Sequence, residues 1–209
     1  MRKKIELSVY IVMFIAIVSL LGISFAYFAA ATTNDGNNNL SGQAFDFGAS
    51  LNISTIHQAS NLIPLANNLV ATAITRENNE CIDIYGREVC SLYRVVLSNT
   101  GDDIVLNPYI TTTSSTYTTN NLKCQIYDSS YNAVSDVMTL SHTANAVTYI
   151  TSSSSNLSIS LSSTSQTYYL VIWITEVSSP QPSDYSKTYS GTLTFSSGIG
   201  GQASVDFNA

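Results

Sequence analysis

The chain has 209 residues and a mass of 22.5 kDa, with 44% hydrophobic residues but only 11% charged ones, 8 basic against 14 acidic. That length suits one domain, large enough to bury a core without covalent staples. Arg2, Lys3 and Lys4 sit at the extreme N-terminus and the other basic residues (Arg76, Arg87, Arg94, Lys123, Lys187) are scattered, so no basic stripe exists to neutralise phosphates and nucleic acid is excluded as a partner. Only Glu6 among the acidic residues precedes Tyr27. The body beyond it therefore keeps 8 less 3 basic and 14 less 1 acidic residues, a net charge near −8. More than a quarter of the chain is Ser, Thr or Asn, so its polarity comes from hydroxyls and amides.

The first thirty residues read as an address. Arg2-Lys3-Lys4 is followed, after Ile5 and Glu6, by an uncharged run from Leu7 to Ala31. A basic start, an apolar stretch and small residues at its end form a secretory signal. Ser24-Phe25-Ala26 puts small side chains at the −3 and −1 positions and predicts cleavage between Ala26 and Tyr27; cleavage within Ala29–Ala31 is the alternative. A run of this length also suffices to cross a bilayer, so an uncleaved transmembrane anchor over residues 1–26 is the rival reading to a cleaved signal. Either way the basic N-side places the remainder outside the cytoplasm, secreted or at the cell surface, touching the membrane only through this segment. No Cys follows the apolar run to take a lipid. The C-terminal stretch Gly200–Ala209 shows neither apolar tail nor basic stop, and no type IV pilin processing site precedes the apolar run.

Residues 27–41 read as a flexible arm, Asn-rich and without periodicity from Thr32 to Asn39. A domain of residues 42–209 follows. Phe45, Phe47, Ala49, Leu51 and Ile53 alternate with Asp46, Gly48, Ser50 and Asn52, which predicts a half-buried strand. Further strands are predicted at Leu69–Thr75, Ser91–Ser98, Ile104–Thr112, Leu122–Tyr127, Leu157–Leu161, Tyr168–Val177, Tyr189–Phe195 and Ala203–Phe207. Tyr168–Val177 is apolar on both faces and should be central. Ser152–Ser155 reads as a solvated hairpin tip. Nine or ten short strands with hydroxyl-rich outer faces and almost nothing helical predict an all-β, jelly-roll-like two-sheet sandwich.

Cys81 and Cys90 bracket a turn centred on Tyr85-Gly86, which suggests a disulfide pinning a hairpin; pairing of either with Cys124, or no disulfide, stays open. Cys124 lies on the apolar face of its strand with Leu122 and Ile126 and reads as a buried thiol. His57 and His142 stand in polar stretches without a second ligand three to five residues away, and neither HExxH nor CxxC occurs, so no metal is expected. There is no GxSxG elbow. Gly101-Asp102-Asp103 lacks the DxDxDG calcium spacing, and Gly198–Gly201 precedes a strand where a phosphate loop needs a helix. The thirteen Tyr and Trp173 could form a sugar platform, although cross-strand packing is their ordinary use in a sandwich. No catalytic constellation, cofactor or enzymatic function is expected.

Three places resemble the TasA/camelysin family of exported, fibre-forming biofilm-matrix proteins. Gly22–Phe28 (GISFAYF) is similar to the family's Gly-x-x-x-Ala-Tyr-Phe signal end, cut after the Ala by a dedicated signal peptidase. Leu40–Phe47 (LSGQAFDF) is similar to its opening strand, with Gly42 and Asp46 at matching positions. Tyr168–Phe195 resembles its late paired strands. Ala29-Ala30 departs from the polar pair that usually follows Tyr-Phe, and the Cys81–Cys90 hairpin is not part of the pattern. The resemblance implies a structural subunit of an extracellular filament or matrix, assembling with itself or a related subunit. Its donor strand would be Tyr27, Phe28, Ala29, Ala30, Ala31, Thr32 and Thr33, with Asn34–Asn39 as tether, and signal cleavage would release it. The alternative is a membrane-anchored surface binding module, an adhesin or a carbohydrate-binding domain. The family's naming as a protease finds no metal motif here.

Overall fold

The structure is a computed structural model that describes residues 39–43, 49–59, 62–76, 80–162, 164–198 and 201–209. The signal segment with its Ala26–Tyr27 cleavage site, and the donor segment Tyr27–Thr33, lie outside the described residues.

Thirteen strands are described: β1 (Asn39–Gln43), β2 (Ala49–His57), β3 (Cys90–Asn99), β4 (Ile104–Ser115), β5 (Leu122–Asp128), β6 (Met138–Thr139), β7 (Val147–Tyr149), β8 (Thr151–Ser152), β9 (Ser155–Asn156), β10 (Ile159–Leu161), β11 (Ser165–Ile174), β12 (Tyr189–Ser197) and β13 (Gln202–Asn208). They form two antiparallel sheets and a small hairpin. The first sheet runs β1-β2-β3-β11-β5-β6. In the second, β12 lies between β4 and β13, while β10 and β7 share the other side of β4. The fold is an all-β sandwich. From β3 to β5 the chain changes sheet at every step, and β11 returns much later to fill the gap between β3 and β5.

The inward faces supply the main core. Alternating Tyr93, Val95 and Leu97 on β3, Leu122, Cys124 and Ile126 on β5, and Leu170, Ile172 and Ile174 on β11 meet Leu193 and Phe195 on β12 and Val205 and Phe207 on β13. Residues two apart on a strand share a face, so this alternation is what buries one side of each sheet. Gly191 in β12 makes room at this interface. A Cβ there would lie 2.9 Å from Tyr189 Cε1 and 3.0 Å from Phe207 Cζ.

β11 is central, as its doubly apolar sequence predicts, and a second core explains why. Val171 and Trp173 point away from the sandwich interior and pack with Leu92, Cys90 and Tyr127 beneath a covering layer built from residues 62–76 and 80–90. That layer carries a short helix α1 (Val70–Ile74), preceded by a 3₁₀ turn at Asn67–Leu69, in place of the strand expected at Leu69–Thr75. The buried residues of the segment are Val70, Ala73 and Ile74. Spacing of three and four is the helical one, whereas a strand would have buried every second residue. The Trp173 indole N–H and the Thr175 hydroxyl both donate to Asn67 Oδ1, at 3.0 and 2.8 Å, fixing the start of the helix to β11.

Cys81 and Cys90 form the disulfide, with Cα atoms 5.4 Å apart, and Cys124 is a buried free thiol whose pKa burial pushes up to about 12. The bridge ties the covering layer to the first residue of β3. The Ser-rich tip is a hairpin, with Ser153 and Ser154 at positive φ between β8 and β9 and their N–H groups donating to Asp136. β1 begins at Asn39, so the last residues read as arm already pair with β2, Asn39 opposite Ser54 and Gln43 opposite Ser50. The strand expected to begin at Phe45 is described from Ala49 onward. Its phase agrees with the pattern at Asn52, exposed, and Ile53, buried.

Replacing Cys81 and Cys90 together by Ala should lower stability by about 2.5–3 kcal/mol, the loop-closure entropy that a crosslink of this span removes from the unfolded chain. A lower unfolding free energy extrapolated from denaturant melts, with the slope fitted separately for each chain, would show it, and an unchanged free energy would contradict it. A second expectation concerns alkaline pH. Burial pushes Tyr117, Tyr127 and Tyr189 up to about 12, with the Asp184 charge also raising Tyr117, and pushes Tyr93 higher still. These phenols ionise near 10 once unfolded and resist ionisation when folded. Their contribution is complete below pH 10 and is lost as pH rises from about 10 through 12. Part of the tyrosinate absorbance should therefore appear cooperatively with unfolding across that window; ionisation of every tyrosine in a chain that stays folded would contradict the burial.

Candidate functional site

A sandwich has four sheet edges, and each must pair, be covered or stay open to another chain. On the β5 side of the first sheet, β6 pairs with Lys123 and Cys124, the Val134 N–H donates to the Ile126 carbonyl and the Leu140 N–H to that of Leu122. That edge is closed. In the second sheet, β10 is capped from the side, because Gln166 Nε2 donates to the Ser160 carbonyl at 3.1 Å. β7 spans three residues.

β13 is different. Its seven residues pair with β12 on one side, and among the described residues no strand pairs on the other. The register sets which groups face out. Tyr189 and Ala209 exchange both backbone hydrogen bonds at 2.8 Å, and the Ser197 N–H bonds the Gly201 carbonyl at 2.7 Å. Alternation then directs residues 203, 205 and 207 to β12 and turns the N–H and C=O of Gln202, Ser204, Asp206 and Asn208 outward. One outward group is taken: the Tyr93 hydroxyl donates to the Asn208 carbonyl. Tyr93, Tyr189 and Phe207 cluster beneath this end of the strand, with centroids 5.6 Å apart for Tyr93–Phe207 and 6.0 Å for Tyr189–Phe207. β1 and β2 lie against β13 on the same side of the sandwich.

A second feature is a cleft of about 240 Å³ between α1 and the disulfide hairpin, lined by Leu65, Leu69, Ala73, Ile82, Ile84 and Tyr85 among others, with Arg76, Arg87, Asp83 and Glu176 also on its wall. The hairpin tip is held stiffly. Gly86 has φ +74°, Asp83 Oδ1 accepts the N–H of Tyr85 at 2.7 Å and of Arg87 at 3.0 Å, and Asp83 Oδ2 pairs with the Arg87 guanidinium at 2.6 Å. Burial pushes the Asp83 carboxyl up, and the Arg87 and Tyr85 hydrogen bonds with the Arg87 charge outweigh it, leaving the group below the usual carboxylate range. Arg87 also lies 5.1 Å over the Tyr85 ring. Ile84 and Tyr85 remain 69% and 75% exposed, unusual for large apolar side chains beside a cleft.

The histidines differ from each other. His142 is an exposed loop residue, as its polar setting predicts. His57 is instead the last residue of β2, half-buried, with Nε2 at 3.6 Å from Glu88 Oε1. The bulge that ends β2 turns it under the covering layer, which its polar neighbours could not reveal. Trp173 is fully buried and so is no sugar platform. Asp102 and Asp103 stand in an exposed turn held by the Asn99 side chain, which accepts from the Gly101 N–H and donates to the Asp102 carbonyl. Among the described residues no three His, Cys, Asp or Glu side chains gather as a metal site, and no helix is long and apolar enough to cross a membrane.

No protein-family model matches the chain, and no curated protein matches it. Among solved structures, a cupin-superfamily sugar phosphate isomerase from Silicibacter pomeroyi overlaps 56% of this chain and 68% of its own at 10% identity and TM-score 0.15. A likeness of that size informs neither fold nor chemistry here.

Tyr85→Ala should leave stability within about 0.5 kcal/mol, since the ring is solvent-facing and the turn is held by Asp83. A larger drop in thermal melts would show that Tyr85 holds the hairpin rather than presenting a surface.

Proposed function

We propose that this chain is a structural subunit of an extracellular filament or biofilm matrix, exported on its N-terminal segment and assembled head-to-tail by strand donation from its arm. The reading takes the sandwich as jelly-roll-like, with no catalytic role and no cofactor. Its partners are further copies or a related subunit, and a signal peptidase that frees the arm. One observation carries most weight: the sandwich keeps a long sheet edge without a strand partner among the described residues, in a chain whose first described strand follows an Asn-rich arm that opens with Tyr27-Phe28. An open edge accepts an extended segment through main-chain hydrogen bonds, and a contact that is not self-reciprocal propagates. The disulfide fits an oxidising, non-cytosolic setting. The signal-end motif Gly22–Phe28 adds the resemblance to fibre-forming proteins.

A second reading rests on the cleft. A rigid, disulfide-pinned hairpin that displays Ile84 and Tyr85 over an apolar pocket suits a surface binding module held to the membrane by an uncleaved Leu7–Ala31 helix.

Electron microscopy of Tyr27–Ala209 beside Asn39–Ala209 separates the two. Filaments from the longer chain alone are expected. Filaments from both would remove the arm as the cause. Monomers from both at high concentration would favour the binding module.

A further inference from the structure

We infer that the cleft between α1 and the disulfide hairpin is a self-association surface. Two copies related by a two-fold axis would each lay the Ile84–Tyr85 tip of the hairpin over the other's cleft. The contact is separate from strand donation and stands whether or not filaments form.

Exposure points to it first. Among the described residues, Ile84 and Tyr85 are the most exposed of the large apolar side chains, and Leu69 on the same cleft wall is 48% exposed. Apolar groups gathered in the open around a concavity mark a place where another surface belongs. Tyr and Arg among apolar residues, with charges at the rim, are the usual make-up of a protein interface. Here Arg87 lies over the Tyr85 ring, and Arg76, Asp83 and Glu176 line the same cleft.

Rigidity points the same way. A mobile tip loses conformational freedom when it docks, and that loss costs affinity. This tip is fixed beforehand by the Cys81–Cys90 bridge, the pairing of Ile82 with Glu88 and the Asp83 carboxylate that accepts from Tyr85 and Arg87. The side chains so fixed are the ones left in solvent.

Charge decides the occupant. The body beyond Tyr27 is strongly acidic, so copies repel one another over most of their surface. Of its basic residues Arg76, Arg87, Arg94, Lys123 and Lys187, the first two line this cleft, where Asp83 and Glu176 balance them. Arg87 is paired with Asp83, whereas neither Arg76 nor Glu176 has an ion-pair partner among the described residues. An anionic partner would meet Glu176, and a cationic one would meet Arg76. A second copy satisfies both, because the two-fold axis sets each Arg76 opposite the other copy's Glu176. Such a contact closes on itself and gives a pair. Between filaments, it would join them side by side.

Charge reversal tests this. Full-length secreted chains are compared by melting, by electron microscopy and by sedimentation up to about 1 mM, where even a weak contact populates pairs. The wild type is expected to equilibrate between monomer and dimer or, where filaments form, to show them paired side by side. Arg76→Glu and Glu176→Arg should each weaken pairing at least about tenfold, since like charges then face each other across the axis. An equal mixture of the two variants should restore it, because each copy again meets the opposite charge. Pairing that neither variant weakens, or that the mixture fails to restore, would overturn the inference. A wild type that stays monomeric throughout would overturn it too. So would filaments that never pair, and those would leave the filament reading standing.

Should Arg76→Glu lower the melting temperature, the chain carrying both Ile84→Ser and Tyr85→Ala decides. Both side chains face solvent, so this chain should melt as the wild type does and pair at least about tenfold more weakly. Undiminished pairing would overturn the assignment of the tip.

Discussion

The architecture depends on the burial of β11 on both faces. Leu170, Ile172 and Ile174 fill the space between the sheets, and Val171 and Trp173 fill the space under the layer of residues 62–76 and 80–90. A strand with only one apolar face would leave that layer nothing to hold. With two, α1, the Asn67 anchor and the disulfide hairpin become a third tier fixed to the sandwich. Each apolar side chain moved from water into such a site contributes roughly 1.5–3 kcal/mol, so the five inward and outward residues of β11 outweigh the single crosslink that pins the layer's end. The disulfide therefore positions the layer; it does not create it.

The same arrangement directs where the molecule can be approached. The covering layer occupies one end of the first sheet's outer face. Residues 133–140 close the β5 edge, and Gln166 serves β10. Covering and capping are the means by which sheet proteins avoid unwanted pairing. Among the described residues, β13 is the longest strand that keeps one side without a strand partner.

Most of this was readable from alternation. Strands β3, β4, β5, β11, β12 and β13 stand where period-two patterns put them, and the central place of β11 follows from its apolar run. The disulfide followed from two Cys around a Gly-containing turn. The misread element, Leu69–Thr75, is instructive. Leu-Val-Ala-Thr-Ala-Ile-Thr is rich in β-branched residues, which suggests a strand, but Val70, Ala73 and Ile74 must all meet one surface, and only a helix puts positions 0, 3 and 4 on one side. Tertiary context decided what propensity could not. The short strands β6 and β7 escaped notice because two or three residues carry no periodicity, whereas β8 and β9 flank the Ser-rich stretch expected to be a hairpin tip.

The edge was the least legible part. A strand's sequence reports which face is buried through its side chains, but an unpaired edge is a property of backbone groups, identical in every residue but proline. Ala203, Val205 and Phe207 would alternate with Ser204 and Asp206 whether β13 were central or outermost. Only the register with β12, fixed by the Tyr189–Ala209 pair, tells which N–H and C=O groups turn outward. The Tyr93 hydroxyl that takes the Asn208 carbonyl comes from the other sheet, 115 residues away in sequence. That hydrogen bond joins the two sheets at the corner where β13 ends, and it leaves the outward carbonyls before it, at Gln202, Ser204 and Asp206, without a strand partner among the described residues.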